Sequence, residues 1–174
     1  MDERATTQPP AAAAVCGLFC PACTFYIGTH EDPARLDRLA TSFGTSRDML
    51  LCDGCRSDRR LFYCKDCHMS ICAAERGYSY CAECPDQPCP QLQTFVAERP
   101  HRADIHRDLV RIADIGGEAW IAEATERHSC PDCGAINSAY DLVCRTCGRD
   151  PSSPYVEEHR DKIVAMMLVS RNED

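Results

Sequence analysis

The sequence lacks a cationic leader followed by a long apolar stretch, so nothing in it reads as a secretory signal. Its longest apolar run near the C-terminus, Ile163 to Val169, falls far short of the roughly 20 residues a bilayer-spanning helix needs. There is no Gly-rich phosphate loop, no nucleophile elbow and no H-E-x-x-H, which removes the usual signatures of nucleotide hydrolysis, serine hydrolysis and zinc proteolysis. Positive charge is in deficit: 19 Lys and Arg stand against 27 Asp and Glu, a net charge of −8. That balance argues against a general nucleic-acid binder, which must neutralise phosphates. No alternation of strands and helices is visible, which excludes a large α/β barrel. The chain is expected to be cytoplasmic, where thiols stay reduced.

Against these absences stands cysteine, with 15 residues in 174. An odd count in a reducing compartment reads as metal ligands rather than a disulfide framework. The strongest signal is C130-P-D-C133-G and C144-R-T-C147-G. Two C-x2-C knuckles ten residues apart are the pattern of a zinc ribbon. Gly134 and Gly148 follow the second cysteine of each knuckle, where the turn calls for a left-handed residue. Cys130, Cys133, Cys144 and Cys147 would close a tetrahedron with no open position, so the site is expected to be structural. Rubredoxin-type iron is the competitor for such a sulfur set.

The other eleven cysteines lie in residues 15–89. Cys16, Cys20 and Cys23 open the segment with the spacing C-x3-C-x2-C, and Cys52 and Cys55 form a knuckle. Cys64, Cys67 and Cys72 repeat as Cys81, Cys84 and Cys89, each C-x2-C-x4-C, offset by 17 residues. Two decompositions stay open. Eleven cysteines and a twelfth ligand, with His68 and His30 as candidates, would make three four-ligand sites. Alternatively, eight cysteines make two closed sites, and the opening triplet holds a [4Fe–4S] cluster with one iron free. Soft thiolates suit both metals. Three or four zinc tetrathiolate sites would take the net charge to about −14 to −16.

Helix signals are local and clear. Asp32, Pro33 and Gly44 bracket a helix over 33–43, with Leu36, Leu39, Ala40 and Phe43 on one face. Residues 90–128 carry no cysteine and read as three helices. They start at Pro90, near Arg102 and at Glu118, and Gly116 and Gly117 stop the second. Trp120 fits an apolar stripe and is expected in the core. A last helix is expected over 154–170, with Val156, Ile163, Met166, Met167 and Val169 as its apolar positions. Arg56, Arg59, Arg60 and Lys65 near Phe62 and Tyr63 could grip phosphate or single-stranded nucleic acid. Asp53, Asp58 and Asp66 balance them, and a solvated knuckle tip is the preferred reading. His101 and His106 lie five apart on a helix, off a shared face, and are not expected as ligands.

The cysteine layout resembles the DUF3795 family. The features that carry the resemblance are CGLFCPACTFYIGT at 16–29, CDGC at 52–55, CKDCHMSICAAERGYSYCAEC at 64–84 and PCPQL at 88–92, continued by LQTFV. It covers residues 15 to about 100 and extends toward 128. The resemblance implies a metal-binding domain and no assigned reaction. The expected architecture is a small, metal-stabilised α+β protein. Residues 1–14 form a disordered tail, and residues 15–128 a cysteine-knuckle domain with a helical second half. Residues 129–150 form a zinc ribbon, and residues 151–174 a linker and C-terminal helix. The expected role is a zinc-binding structural or interaction module with three or four Zn²⁺ sites and no catalytic residue assigned. Its partner would be a protein or small ligand, with no membrane contact. An iron–sulfur protein using Cys16, Cys20 and Cys23 is the alternative.

Overall fold

The computed structural model describes residues 9–171. Of the expected disordered tail, residues 1–8 lie outside the described residues. From Ala11 onward the chain is packed: Ala13 and Ala14 are buried, and Ala13 pairs with Phe19 in an isolated bridge.

Eight α-helices carry the described fold: α1 (Thr24–His30), α2 (Pro33–Phe43), α3 (Phe62–Lys65), α4 (His68–Arg76), α5 (Pro90–Ala97), α6 (Ile105–Ile115), α7 (Gly117–His128) and α8 (Pro154–Arg171). Short 3₁₀ turns at Cys20–Ala22, Arg47–Leu50, Cys81–Glu83 and Pro100–Arg102 join them. The strand half of the α+β expectation has almost no counterpart. Among the described residues, pairing is limited to two isolated bridges, Ala13 with Phe19 and Ser129 with Ile136. The physical reason lies in the cysteine spacing. A C-x2-C knuckle is a turn, and the short runs between knuckles carry no sustained period-two alternation from which a strand could grow.

The helices begin and end where the local chemistry dictates. The Asp32 carboxylate accepts the Arg35 N–H at 3.1 Å, and Gly44 closes α2 in the left-handed conformation at φ 60°. Gly116, at φ 81°, separates α6 from α7. The apolar faces of these helices build four small clusters rather than one large core. Phe19, Tyr80, Ile112, Trp120 and Ala124 form the first, with Trp120 1 % exposed. Met69, Leu92, Ile105 and Leu109 form the second, together with the buried Cys16 and Cys20. Leu36, Ala40, Leu50 and Leu61 form the third around Cys52. Ala139, Tyr155, Val156 and Ile163 form the fourth and seat α8. The Tyr155 hydroxyl also donates to the Pro100 carbonyl at 2.7 Å.

Buried charge links the elements. Arg35, 8 % exposed on α2, donates through Nη2 to both oxygens of Asp141 at 3.0 Å and through Nη1 to Thr24 Oγ1 at 3.2 Å. Arg145 pairs with Glu31 at the same junction. Asp108 on α6 accepts from Arg127 on α7 at 2.7 and 2.9 Å. A fully desolvated ion pair holds only when its geometry is good, and removing one partner leaves an uncompensated charge.

α1 crosses α2 at Gly28. A Cβ there would lie 2.7 Å from Cδ2 and Cγ of the fully buried Leu36. Gly28→Ala is therefore expected to destabilise the protein by about 1–2 kcal/mol, read as a lower melting temperature. Overpacking costs ~1–3 kcal/mol, which outweighs the gain of roughly 1 kcal/mol in helix propensity. An unchanged or raised melting temperature would mean that α1 and α2 can move apart without cost.

Candidate metal centres

The two C-terminal knuckles are near copies of each other. Gly134 N–H donates to Cys130 O at 2.9 Å, and Gly148 N–H to Cys144 O at 3.0 Å. Cys130 N–H donates to Ala135 O at 2.9 Å, and Cys144 N–H to Arg149 O at 2.8 Å. Gly134 and Gly148 take φ 74° and 80°, a conformation that favours residues without a Cβ. The result is a convergence of sulfur: the Sγ atoms of Cys130, Cys133, Cys144 and Cys147 all lie within 4.8 Å of one another. Cys130 and Cys147 approach to 3.6 Å, and Cys133 and Cys144 to 3.7 Å. This group could hold a metal ion.

The electrostatics suit a cation. Burial pushes the Cys144 thiol up, but the Cys147 and Thr146 N–H groups and the Asn137 amide more than offset it and bring it to about 6. Cys147 is held at about 12: the Arg149 N–H favours its thiolate, yet Cys133 and Cys130 beside it oppose a second negative charge. One thiolate forms readily and the next ones resist. A divalent ion at the centre removes that resistance.

Asn137 carries no cysteine-like signal in the sequence, and sequence reading missed it. It is 0 % exposed. Its Nδ2 donates to Ala135 O at 2.9 Å, to Ser152 O at 3.3 Å and to Cys144 Sγ at 3.6 Å, while Oδ1 accepts from Arg145 N–H at 3.1 Å. One side chain thus ties both knuckles and the segment leading to α8. The only local hint of its role is an amide placed between two knuckles.

The eleven upstream cysteines are arranged differently. Among the described residues, none of them belongs to a group of three with ligand atoms mutually within 4.8 Å. They form a looser network, with Cys16, Cys20 and Cys52 buried and the rest half-buried. Burial raises Cys16, the Leu18 N–H partly offsets it, and Cys55, Cys67 and Cys81 add to the rise. Burial pushes Cys20 to about 12, opposed by the Cys55 N–H and reinforced by Cys23, Cys55 and Cys52. Cys64 reaches about 12 through burial and then Cys52, Cys23, Cys55 and Cys67. Cys81 does so through burial and then Cys89, Cys72, Cys67 and Cys84. The opening triplet therefore does not face one point.

The histidine candidates lie elsewhere. His30 Nε2 sits 3.2 Å from Asp53 Oδ1, and its ring packs on Tyr26 at 4.2 Å. His68 is exposed at the start of α4. His101 Nδ1 lies 2.7 Å from the Tyr140 hydroxyl, and burial with Arg102 and Arg99 nearby holds its pKa near 3. A second ligand-like group, Asp104, Glu158 and His159, is an ion-pair junction. Asp104 Oδ1 lies 2.9 Å from His159 Nε2, and its other oxygen faces the guanidinium groups of Arg107 and Arg127. The basic loop is likewise structural. Arg56 donates to Ala13 O at 2.8 Å and to Ser79 O at 2.6 Å, and Arg59 binds Asp53 at 2.7 and 2.8 Å.

Asn137→Ala is expected to lower stability by about 1–3 kcal/mol, because it strips partners from buried backbone groups. Metal affinity at the adjacent knuckles should fall by roughly 10–100-fold, as for other groups that orient ligands. Chelator competition followed by optical or mass readout measures this. Wild-type affinity in the variant would show that the knuckles orient themselves.

Comparison with known proteins agrees with the position of the cysteine-rich segment. No curated protein matches the chain, and no solved structure does. A family model does match, over residues 12–94, a start that takes in the buried Ala13 and Ala14. Through that segment the chain belongs to a family described as "Protein of unknown function (DUF3795)".

Proposed function

We propose that this protein is a cytoplasmic zinc-binding module whose metals serve folding and whose surface serves a protein or small-ligand partner. The observation that carries the reading is the group of four Sγ atoms within 4.8 Å on two matched knuckles. Such a set is the ligand pattern of a zinc ribbon. It uses all four positions of a tetrahedral ion and leaves none for substrate, so the ion acts by holding the chain. Zinc is favoured over iron because a closed tetrathiolate with dedicated N–H donors needs no redox change to do this. The upstream cysteines bind further ions in the same reading.

The four small apolar clusters support a structural role for metal. None resembles a core that would sustain a domain unaided. Each structural zinc contributes on the order of 10 kcal/mol of folding free energy at neutral pH. A strong chelator is therefore expected to abolish most helical circular dichroism, and added zinc to restore it. A helical signal unchanged by chelation would remove the structural role.

The metal itself is identified by purification without oxygen, followed by a visible spectrum and counts of zinc, iron and acid-labile sulfide. A colourless protein with roughly three or four zinc ions per chain and no sulfide is expected. A brown protein with stoichiometric iron and sulfide, bleached by dithionite, would overturn the zinc reading in favour of an iron–sulfur protein.

A further inference from the structure

This inference rests on the reading that the upstream cysteines bind metal, and it concerns how eleven thiolates can satisfy that requirement. Three tetrahedral ions offer twelve ligand positions. Residues 15–89 supply eleven cysteines. Neither histidine fills the gap: His30 is paired with Asp53, and His68 is exposed at the start of α4.

Backbone and side-chain contacts sort the cysteines into three neighbourhoods. In the first, Cys23 caps α1, and Cys52 N–H donates to Thr29 Oγ1 on the same helix at 3.0 Å. Cys64 and Phe25 pack against the apolar cluster that contains Cys52. Cys20 Sγ lies against the same knuckle, where a Cβ on Gly54 would stand 3.7 Å from it.

The second neighbourhood forms around Cys16. Cys81 N–H donates to Val15 O at 2.9 Å, which sets the Cys81–Glu83 turn beside Cys16. Arg56 bonds Ala13 O and Ser79 O, and so wedges the neighbouring Cys55 between the same two segments. Cys67 caps α4, and Met69 in the first turn of that helix shares a buried cluster with Cys16. Cys55, Cys67 and Cys81 all pack against that cluster.

The third lies past the other side of Cys81. Arg76 Nη1 is 3.5 Å from Cys84 Sγ, and Arg76 stands one helical turn after Cys72 on α4. The turn Cys81–Glu83 leads directly into Cys84, and Cys89 caps α5. Cys81 therefore borders both the second and the third neighbourhoods.

We propose that the upstream segment holds three metal ions on eleven thiolates, with Cys81 Sγ shared between two of them. Cys20, Cys23, Cys52 and Cys64 take the first ion. Cys16, Cys55, Cys67 and Cys81 take the second. Cys72, Cys84 and Cys89 take the third, completed by the same Cys81. A thiolate sulfur has more than one lone pair and can bind two divalent ions, so no twelfth residue is needed. The arrangement divides the opening triplet: Cys16 serves a different ion from Cys20 and Cys23.

The test is made on the full chain loaded with an NMR-active cadmium isotope, correlating each cadmium with cysteine Hβ protons. The expected result is that Cys81 Hβ correlates with two cadmium resonances, and that those two are scalar-coupled through sulfur. Cys16 is expected to correlate with a different cadmium from Cys20 and Cys23. A single cadmium on Cys81, a ring proton of His30 or His68 on any cadmium, or one cadmium common to Cys16, Cys20 and Cys23 would overturn the proposal while leaving metal binding intact. Cadmium seen only at Cys130, Cys133, Cys144 and Cys147 would overturn the underlying metal reading as well. In native mass spectra, Cys81→Ser is expected to lose about two ions and Cys64→Ser about one, since only Cys81 serves two positions. Equal losses in two folded variants would count against sharing.

Discussion

Packing many thiolates close together without ruinous repulsion is the constraint on which the rest of this structure depends. At the C-terminal knuckles four sulfurs converge within 4.8 Å, and the chain answers with donors: N–H groups of Thr146, Cys147 and Arg149, and the buried amide of Asn137. Upstream, the answer is different. The sulfurs are spread through apolar clusters, so that burial rather than hydrogen bonding dominates each thiol. The helices are the frame that sets these two environments. Their own cores are modest, and each borders cysteine or the knuckles.

How much of this could be read from sequence depends on the range of the interaction. Helix α2 was legible because Asp32, Pro33 and Gly44 act within a few residues of the backbone they cap or terminate. Trp120 was legible because its stripe is periodic within one helix. The paired knuckles at Cys130 and Cys144 were legible because a tight turn binds its own sequence neighbours. Arg35 with Asp141 was not, since 106 residues separate a donor from an acceptor that leave no local trace. The division of Cys16 from Cys20 and Cys23 was hidden for the same reason. Spacing suggests a unit, but the hydrogen bond from Cys81 to Val15 pulls one end of the triplet elsewhere.

The strand component of the expected α+β fold and the basic loop show a second source of error, in which composition stands in for geometry. Cysteine-rich modules often carry hairpins, yet here the knuckles connect to helices and 3₁₀ turns. Arg56 sits in a run of cations beside aromatics, which resembles a phosphate grip. Its guanidinium instead lies 4.8 Å over the Tyr80 ring and bonds two backbone carbonyls from distant segments. A cation on a loop is available to a ligand only if the fold has left it unengaged.

The Arg35 guanidinium has a further consequence. It belongs to the segment that the family model recognises, residues 12–94, and its bidentate partner Asp141 lies well beyond that segment. Gly17 shows the same dependence, since a Cβ there would stand 3.1 Å from Leu109 on α6. The stretch recognisable by sequence kinship is therefore shorter than the stretch that must fold together. Cutting this chain at the kinship boundary would strand a buried positive charge and bare an apolar face, so in this protein the unit of descent and the unit of cooperativity are different lengths of polypeptide.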